Sequence, residues 1–63
     1  MIMGKFISTI DGNLYLRSCY DCNEGSLIEV TDEDGNFLGD FKGSLDELSD
    51  DELIEKVEEN ISL

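Results

Sequence analysis

Two Asp-Gly turns divide the first two thirds of the chain into stretches in which apolar and polar residues alternate. The turns are Asp11-Gly12-Asn13 and Asp34-Gly35-Asn36, and each lies between segments rich in β-branched, aromatic and leucine residues. Asp-Gly in this setting is a strong signal for a β-hairpin, because glycine accepts the positive φ that a tight turn requires. Residues 21–25 have the composition of a further turn. The pattern therefore predicts a four-stranded antiparallel meander, built from two hairpins, over residues 5–42.

A helical period replaces this alternation near the end of the chain. Capping-box patterns, in which a Ser is followed three residues later by a Glu, begin at Ser44 and Ser49. They predict a short helical turn at 45–48 and a main helix at about 50–60, a stretch without Gly or Pro. The apolar residues on one side of that helix are Leu53, Ile54, Val57 and Ile61. The expected fold class is α+β, with the helical region 45–60 packed on one face of the sheet in a single small domain, 1–63.

One helix covers only one face of a sheet, so the second face needs a role of its own. Alternation places Phe6, Leu16, Val30 and Phe37 on the face beneath the helix. The opposite face then carries four large apolar residues among polar ones: Ile7, Tyr15, Leu27 and Leu38. Apolar groups exposed together usually mark an interface. A homodimer, or a small assembly subunit joined through this face, is therefore one functional hypothesis.

The charge of the chain restricts its possible functions more than any motif does. The chain has 16 Asp and Glu against 4 Lys and Arg and no His, a formal net charge of -12. From Asp32 onward, 12 acids face only Lys42 and Lys56. Nucleic acids and anionic membranes bind through clusters of Lys and Arg, so neither is expected as a direct ligand. The sign of the charge favours a basic protein partner.

The acids form two groups that we take as candidate partner-binding residues. One group lies on and before the predicted helix, and the other lies at the second hairpin turn. The members are Asp46, Glu47, Asp50, Asp51, Glu55, Glu58 and Glu59 in the first group, and Asp32 and Asp34 in the second. Carboxylates spread along a helix resemble the phosphates of a nucleic-acid strand in sign and spacing. The leading hypothesis is a non-catalytic module that occludes or regulates a nucleic-acid-binding protein by charge mimicry, and the simplest alternative is an acidic face that only keeps the chain soluble.

Catalysis is not expected from this composition. With no His, the chain lacks the usual general base near neutral pH and the commonest metal ligand, and its serines have no imidazole to activate them. No cofactor is expected. The sequence has no stretch of about 20 apolar residues to span a membrane, and its first residues do not have the pattern of a signal peptide, so we expect a cytoplasmic protein.

Cys19 and Cys22 form a C-x-x-C pair that is the one motif with metal-site spacing. Tetrahedral zinc needs four ligands, so a site here requires the pairs of two chains across a dimer. The simpler interpretation is one half-buried cysteine on a strand and one incidental cysteine in a turn. The acidic turn that begins at Asp32 resembles the start of an EF-hand calcium loop. Phe37 and Gly43, however, stand at the positions where that loop requires Gly and Glu.

Overall fold

The alternating stretches form four antiparallel strands, and the periodic stretch forms a helix. A computed structural model describes residues 3–10 and 12–61 of the chain. The strands are β1 (Gly4–Thr9), β2 (Gly12–Asp21), β3 (Gly25–Thr31) and β4 (Phe37–Lys42), in the sheet order β1-β2-β3-β4. The helix α1 (Asp50–Asn60) packs against the sheet. The predicted α+β fold, an antiparallel meander with one C-terminal helix, is confirmed.

The turn between β2 and β3 is held by a side chain. The carboxylate of Asp21 accepts hydrogen bonds from the backbone amides of Asn23 (2.8 Å) and Glu24 (3.0 Å). Gly25 closes the loop with a φ of 85°, a conformation that side-chain-bearing residues rarely adopt. This is the local chemistry by which Asp and Gly make tight turns.

The helix begins where the sequence predicts. Ser49 accepts a hydrogen bond from the Glu52 amide (3.3 Å), and the Glu52 carboxylate accepts one from the Ser49 amide (3.1 Å), which completes a capping box. The preceding turn, 44–48, is closed by the amides of Glu47 and Leu48, which both donate to the Ser44 carbonyl. This turn carries Leu45 into the core, where its side chain is 2% exposed.

The helix lies across the strands rather than along them. Its first residue, Asp50, accepts a hydrogen bond from Lys5 of β1 at 2.5 Å. At its other end Ile61 lies so close to Gly39 of β4 that a Cβ on that glycine would overlap Cδ1 of Ile61. These two contacts belong to one cross-strand row, Lys5, Leu16, Val30 and Gly39. Eleven helical residues span about 16 Å, close to the roughly 14 Å of three interstrand spacings.

The core fills the space between this helix and one face of the sheet. Five side chains in it are completely buried: Leu16, Ile28, Val30, Leu53 and Val57. Ile7, Leu14, Phe41, Leu45 and Ile61 complete the cluster at 2–6% exposure. No buried polar or charged side chain is found among the described residues. Burial of this kind, at about 25 cal/mol per Å² of apolar surface, is the main stabilisation of a small domain.

The faces of β1 are the reverse of those expected. Thr9 pairs with Gly12 and Ile7 with Leu14, so Ile7 lies beneath the helix and is 5% exposed. Phe6 pairs with Tyr15 and points to the other side. The prediction that Ile7 belongs to an exposed pairing face is therefore wrong. The hairpin pairing is one residue away from the register that we assumed, and such a shift exchanges the two faces of a strand. Asp11, in the predicted turn, lies outside the described residues.

A β-bulge changes which side chains face the helix at the start of β4. Phe37 pairs with Thr31 while Gly39 pairs with Val30, so Leu38 is the extra residue. Leu38 packs against the core instead of standing on the second face, and Phe37 is on the second face instead of beneath the helix. Both assignments made from strict alternation are therefore wrong, because alternation fails where a residue is inserted.

The close approach at Gly39 gives a stability prediction. We expect Gly39→Ala to lower the unfolding free energy by about 1–3 kcal/mol, because the new methyl group overpacks against Ile61. Ile61→Val removes the Cδ1 atom that the methyl group would meet, so the same Gly39→Ala change should be less destabilising in that background. Urea unfolding of the four proteins in this double-mutant cycle measures the difference. An equal effect of Gly39→Ala in both backgrounds would show that backbone conformation, not the contact, sets the requirement for glycine.

Candidate functional site

Four acids line the side of α1 that faces away from the core, and we call this surface the acidic helix face. It consists of Asp51, Glu55, Glu58 and Glu59, all of which are exposed. The spacing of 51, 55, 58 and 59 keeps them on one side of the helix, opposite the buried Leu53 and Val57. The sequence therefore predicted this surface correctly as a geometric feature.

The two ends of the acidic helix face differ in their relation to the helix dipole. Asp50, Asp51 and Glu52 lie in the first turn, where negative charge is stabilised by the free amides. Glu58 and Glu59 lie near the last turn, which has no basic residue. Their charges are therefore unfavourably placed with respect to the dipole. A requirement for helix stability does not explain them.

Within the described residues, none of the four acids of the acidic helix face forms an ion pair, whereas two acids beside it are engaged. Over residues 3–10 and 12–61 there are two ion pairs, Lys5 with Asp50 and Arg17 with Glu29. Asp50, one of the predicted partner-binding residues, is thus paired internally. Glu52 is also engaged, because the hydrogen bonds from the Ser49 amide and hydroxyl lower the pKa of its carboxyl, and Lys56 lowers this pKa further.

The acids of the turn before the helix continue the negative surface. Asp46 and Glu47 are both exposed. The amide of Asp46 donates to the Ser44 hydroxyl at 3.3 Å, which holds the turn in place. These two predicted residues therefore precede the acidic helix face directly in the chain.

At the second hairpin, Asp32 stabilises the turn, a role that the sequence did not predict. Its carboxylate accepts hydrogen bonds from the amides of Asp34 and Asn36, both at 2.9 Å, and from the side-chain amide of Asn36 at 3.1 Å. The bonds from Asn36 are the main reason why the pKa of the Asp32 carboxyl lies below its usual value. Asp34 is exposed. Of the two acids predicted at this tip, Asp34 is therefore the one that faces outward freely enough to meet a partner.

The sheet has a second candidate surface on the side away from the helix, which we call the open sheet face. One cross-strand row on it consists of Phe6, Tyr15, Thr31 and Phe37, so three of its four residues are aromatic. Phe6 is 75% exposed and Phe37 59% exposed, and the rings of Phe6 and Tyr15 have centroids 4.8 Å apart. Between Tyr15 and Phe37 the face forms a shallow groove, lined also by Arg17, Glu29, Thr31 and Gly35.

The open sheet face differs from the dimer face that alternation predicted. Tyr15 and Leu27 are on it, and both are half-buried. Ile7 and Leu38 belong to the helix side, so the expected apolar patch loses half of its members. Phe6 and Phe37, which sequence reasoning placed in the core, take their place. The isolated Gly39 within a strand was the signal for the bulge that turns Phe37 outward.

The cysteine pair spans the end of β2. Cys19 pairs with Leu27 across the sheet and is half-buried, while Cys22 is exposed in the turn, and both are free thiols. In the described part of the chain, no group of three or more His, Cys, Asp or Glu side chains is arranged to hold a metal ion. The geometry therefore supplies two thiols and nothing further for such a site within one chain.

Comparisons with family models, with curated proteins and with solved structures found no match to this chain. Among the residues that the structure describes, no helix is long and apolar enough to cross a membrane.

The hydrogen bonds at Asp32 predict a specific sensitivity to acid. Folding lowers the pKa of this carboxyl below its ordinary value, so as the pH falls the unfolded chain binds a proton before the folded chain does. The stabilisation from Asp32 is complete above the unfolded pKa and is lost as the pH falls through the folded pKa. We expect Asp32→Asn to lose less stability than the parent protein between about pH 5 and about pH 3, as measured by urea unfolding.

Asp34→Asn is the matched control for this measurement. It removes one charge from the same turn, but over the described residues the Asp34 carboxylate accepts none of the hydrogen bonds that hold the turn. The control should keep the acid sensitivity of the parent protein. An equal acid response of Asp32→Asn and Asp34→Asn would contradict the assigned role.

Proposed function

We propose that this protein is a non-catalytic binding module for a basic partner protein, and that it occludes a nucleic-acid-binding surface of that partner by charge mimicry. The observation that carries the proposal is the placement of Glu58 and Glu59. Both are exposed near the end of a helix whose last turn has no basic residue. Acids in this position oppose the helix dipole, so their presence is better explained by a charge that the surface presents to a partner.

The spacing of the acidic helix face supports the mimicry. Asp51 and Glu59 are eight residues apart, which is about 12 Å along the helix axis. Phosphates on one strand of a double helix follow each other at about 3.4 Å along its axis. Four carboxylates over this length therefore present a charge density close to that of a nucleic-acid strand. A groove lined by Lys and Arg would attract either one.

The rest of the molecule holds this face in a fixed position. Leu53 and Val57 are completely buried beneath it, and the capping box fixes the helix start. Because the helix is anchored at both ends, the backbone that carries the carboxylates does not have to be ordered when a partner binds. Such preorganisation lowers the entropic cost of association. The proposal places the module in the cytoplasm, where nucleic-acid-handling proteins are encountered.

The pair Glu58→Gln and Glu59→Gln tests the proposal. We expect this double variant to recover several-fold less of its basic partner than the parent protein does, because two charges of the acidic helix face are lost. Its unfolding free energy should be unchanged or slightly higher, because the unfavourable dipole interaction is also removed. The measurement is capture on the immobilised protein from a lysate of the organism that encodes it, eluted with duplex DNA and quantified by mass spectrometry.

The matched control is the pair Asp21→Asn and Glu24→Gln in the β2–β3 turn. It removes the same charge, and the asparagine side chain introduced in place of Asp21 retains an oxygen for the two amides that hold the turn. The proposal is supported if the control variant still captures proteins that duplex DNA displaces and the helix variant does not. Equal recovery by both variants, or captured proteins that DNA does not displace, would refute it.

A further inference from the structure

The sheet has two edges, one formed by β1 and one by β4. At the β1 edge, the amide of Ser18 in β2 donates to the carbonyl of Met3 at 2.8 Å. Backbone groups alternate in direction along an antiparallel strand, so the odd-numbered residues of this segment direct theirs toward β2. The amides and carbonyls of Gly4, Phe6 and Ser8 therefore point away from the sheet. Such a row of outward backbone groups is a template for a further strand.

The β4 edge carries charge where the β1 edge does not. The Gly43 amide donates to the Ser26 carbonyl, so by the same alternation Asp40 and Lys42 direct their backbone groups outward. Charged side chains at such positions discourage another strand from pairing. The outward residues of β1 are uncharged, and the first ten residues of the chain contain one Lys and no acid. The β1 edge is therefore the one that a further strand can join.

Exposed apolar side chains are concentrated along β1. Among the described residues, five large apolar side chains are more than half exposed, and three of these, Met3, Phe6 and Ile10, lie in or beside β1. The ring of Phe6 contacts that of Tyr15 in β2, at 4.8 Å between centroids. On the side away from Tyr15 the ring has no neighbouring strand in the described sheet, and it is 75% exposed. An apolar strand that joined this edge would cover it.

The backbone of β1 is complementary to that of a second β1. In an antiparallel pair centred on Phe6, Gly4 of one chain lies opposite Ser8 of the partner subunit. All the outward residues of one strand then meet outward residues of the other. Each of these pairs can exchange two hydrogen bonds, so the register centred on Phe6 uses the whole edge.

The side chains of β1 suit the same register. The two Phe6 rings lie side by side on the open sheet face, so the aromatic row of Phe6, Tyr15 and Phe37 continues from one chain into the other. Lys5 lies opposite Ile7 of the partner subunit, and no like charges stand opposite each other in the pair. A strand free of acids is what two chains of this composition need in order to meet.

We propose that two copies of this chain pair through their β1 edges, antiparallel about Phe6, to form one continuous eight-stranded sheet. This inference is independent of the proposed function. A two-fold contact of this kind closes on itself, because it uses both β1 edges and leaves the charged β4 edges at the ends of the sheet. Each β1 remains covered on one side by its own helix, beneath which Ile7 is buried. The net charge of -12 on each chain opposes the approach, and salt screens this repulsion.

Sedimentation equilibrium of the full chain over a range of protein concentrations tests the pairing. We expect the mass to rise with concentration from 7.1 kDa toward twice that value. The dissociation constant should fall several-fold between about 0.05 M and about 0.5 M NaCl, because the shorter Debye length weakens the repulsion between the acidic chains. The mass of a single chain at every concentration, or a dimer that salt dissociates, would overturn the inference.

Phe6→Lys and its matched control, Phe37→Lys, locate the contact. Phe6→Lys should prevent dimerisation, because it removes the central rings and sets two like charges opposite each other. Phe37 is in the same row but on β4, and it is 59% exposed, so the same exchange there should leave the dissociation constant within about twofold of the parent value. Loss of the dimer in both variants would assign the contact to the open sheet face, and its loss in neither would exclude the β1 edge.

Ser8→Pro and Ser8→Ala separate the backbone contact from the side chain. Both lose the hydroxyl that donates to Asn13 at 2.8 Å, but only proline removes the outward amide. We expect Ser8→Ala to dimerise and Ser8→Pro to remain a monomer. A readout that needs no variant comes from mixed ¹³C-labelled and unlabelled chains, since the α protons of Lys5 and Ile7 approach each other across the pair and not within one chain. A dimer without this intermolecular nuclear Overhauser effect would contradict the register.

The outcomes separate this inference from the proposed function. Glu58→Gln with Glu59→Gln changes the acidic helix face alone, so it should capture less of the basic partner and still dimerise. Phe6→Lys should do the reverse. A chain that stays monomeric but captures its partner would overturn the inference and leave the proposed function in place. If the amides of Phe6 and Ser8 become protected from hydrogen exchange only when that partner is bound, the β1 edge belongs to the partner and the pairing of two copies is refuted.

Discussion

The packing of one short helix across one row of a four-stranded sheet is the constraint on which the other features depend. Gly39 allows the end of the helix to approach the sheet, and the contact between Lys5 and Asp50 ties its start to β1. Leu53 and Val57 then lie completely buried in the same cluster as Leu16 and Val30. A chain of 63 residues has enough apolar material for one such layer. The outer side of the helix and the far side of the sheet are exposed as a direct result.

These two exposed surfaces differ in their chemistry. The acidic helix face presents carboxylates without rings, which act at a distance and depend strongly on salt. The open sheet face presents exposed rings, which act only in contact. Charge of the first kind raises the rate of encounter, and contacts of the second kind set how long a complex lasts.

The secondary structure was predictable because local signals agreed with one another. The Ser49 and Glu52 pattern gave the helix start, and Asp and Gly pairs marked the hairpins. The faces were less predictable, since Phe6 and Ile7 are adjacent and both large and apolar, so that alternation alone does not decide which one is buried. Leu38 was misassigned because a bulge inserts a residue into the strand. The acidic helix face followed from the helical period, whereas the aromatic row depends on the register of three strand pairs and was not visible in the sequence.

The match between the length of α1 and the width of the sheet limits how this fold can grow. The helix begins above Lys5 in β1 and ends at Gly39 in β4, so it has no residues left to cover a further strand. A fifth strand paired to either edge, whether from a longer gene or from a neighbouring molecule, would lie beyond the helix. The apolar side chains of such a strand would stay in water unless another element covered them. Widening the sheet therefore requires a longer helix or a further element that covers the added strand.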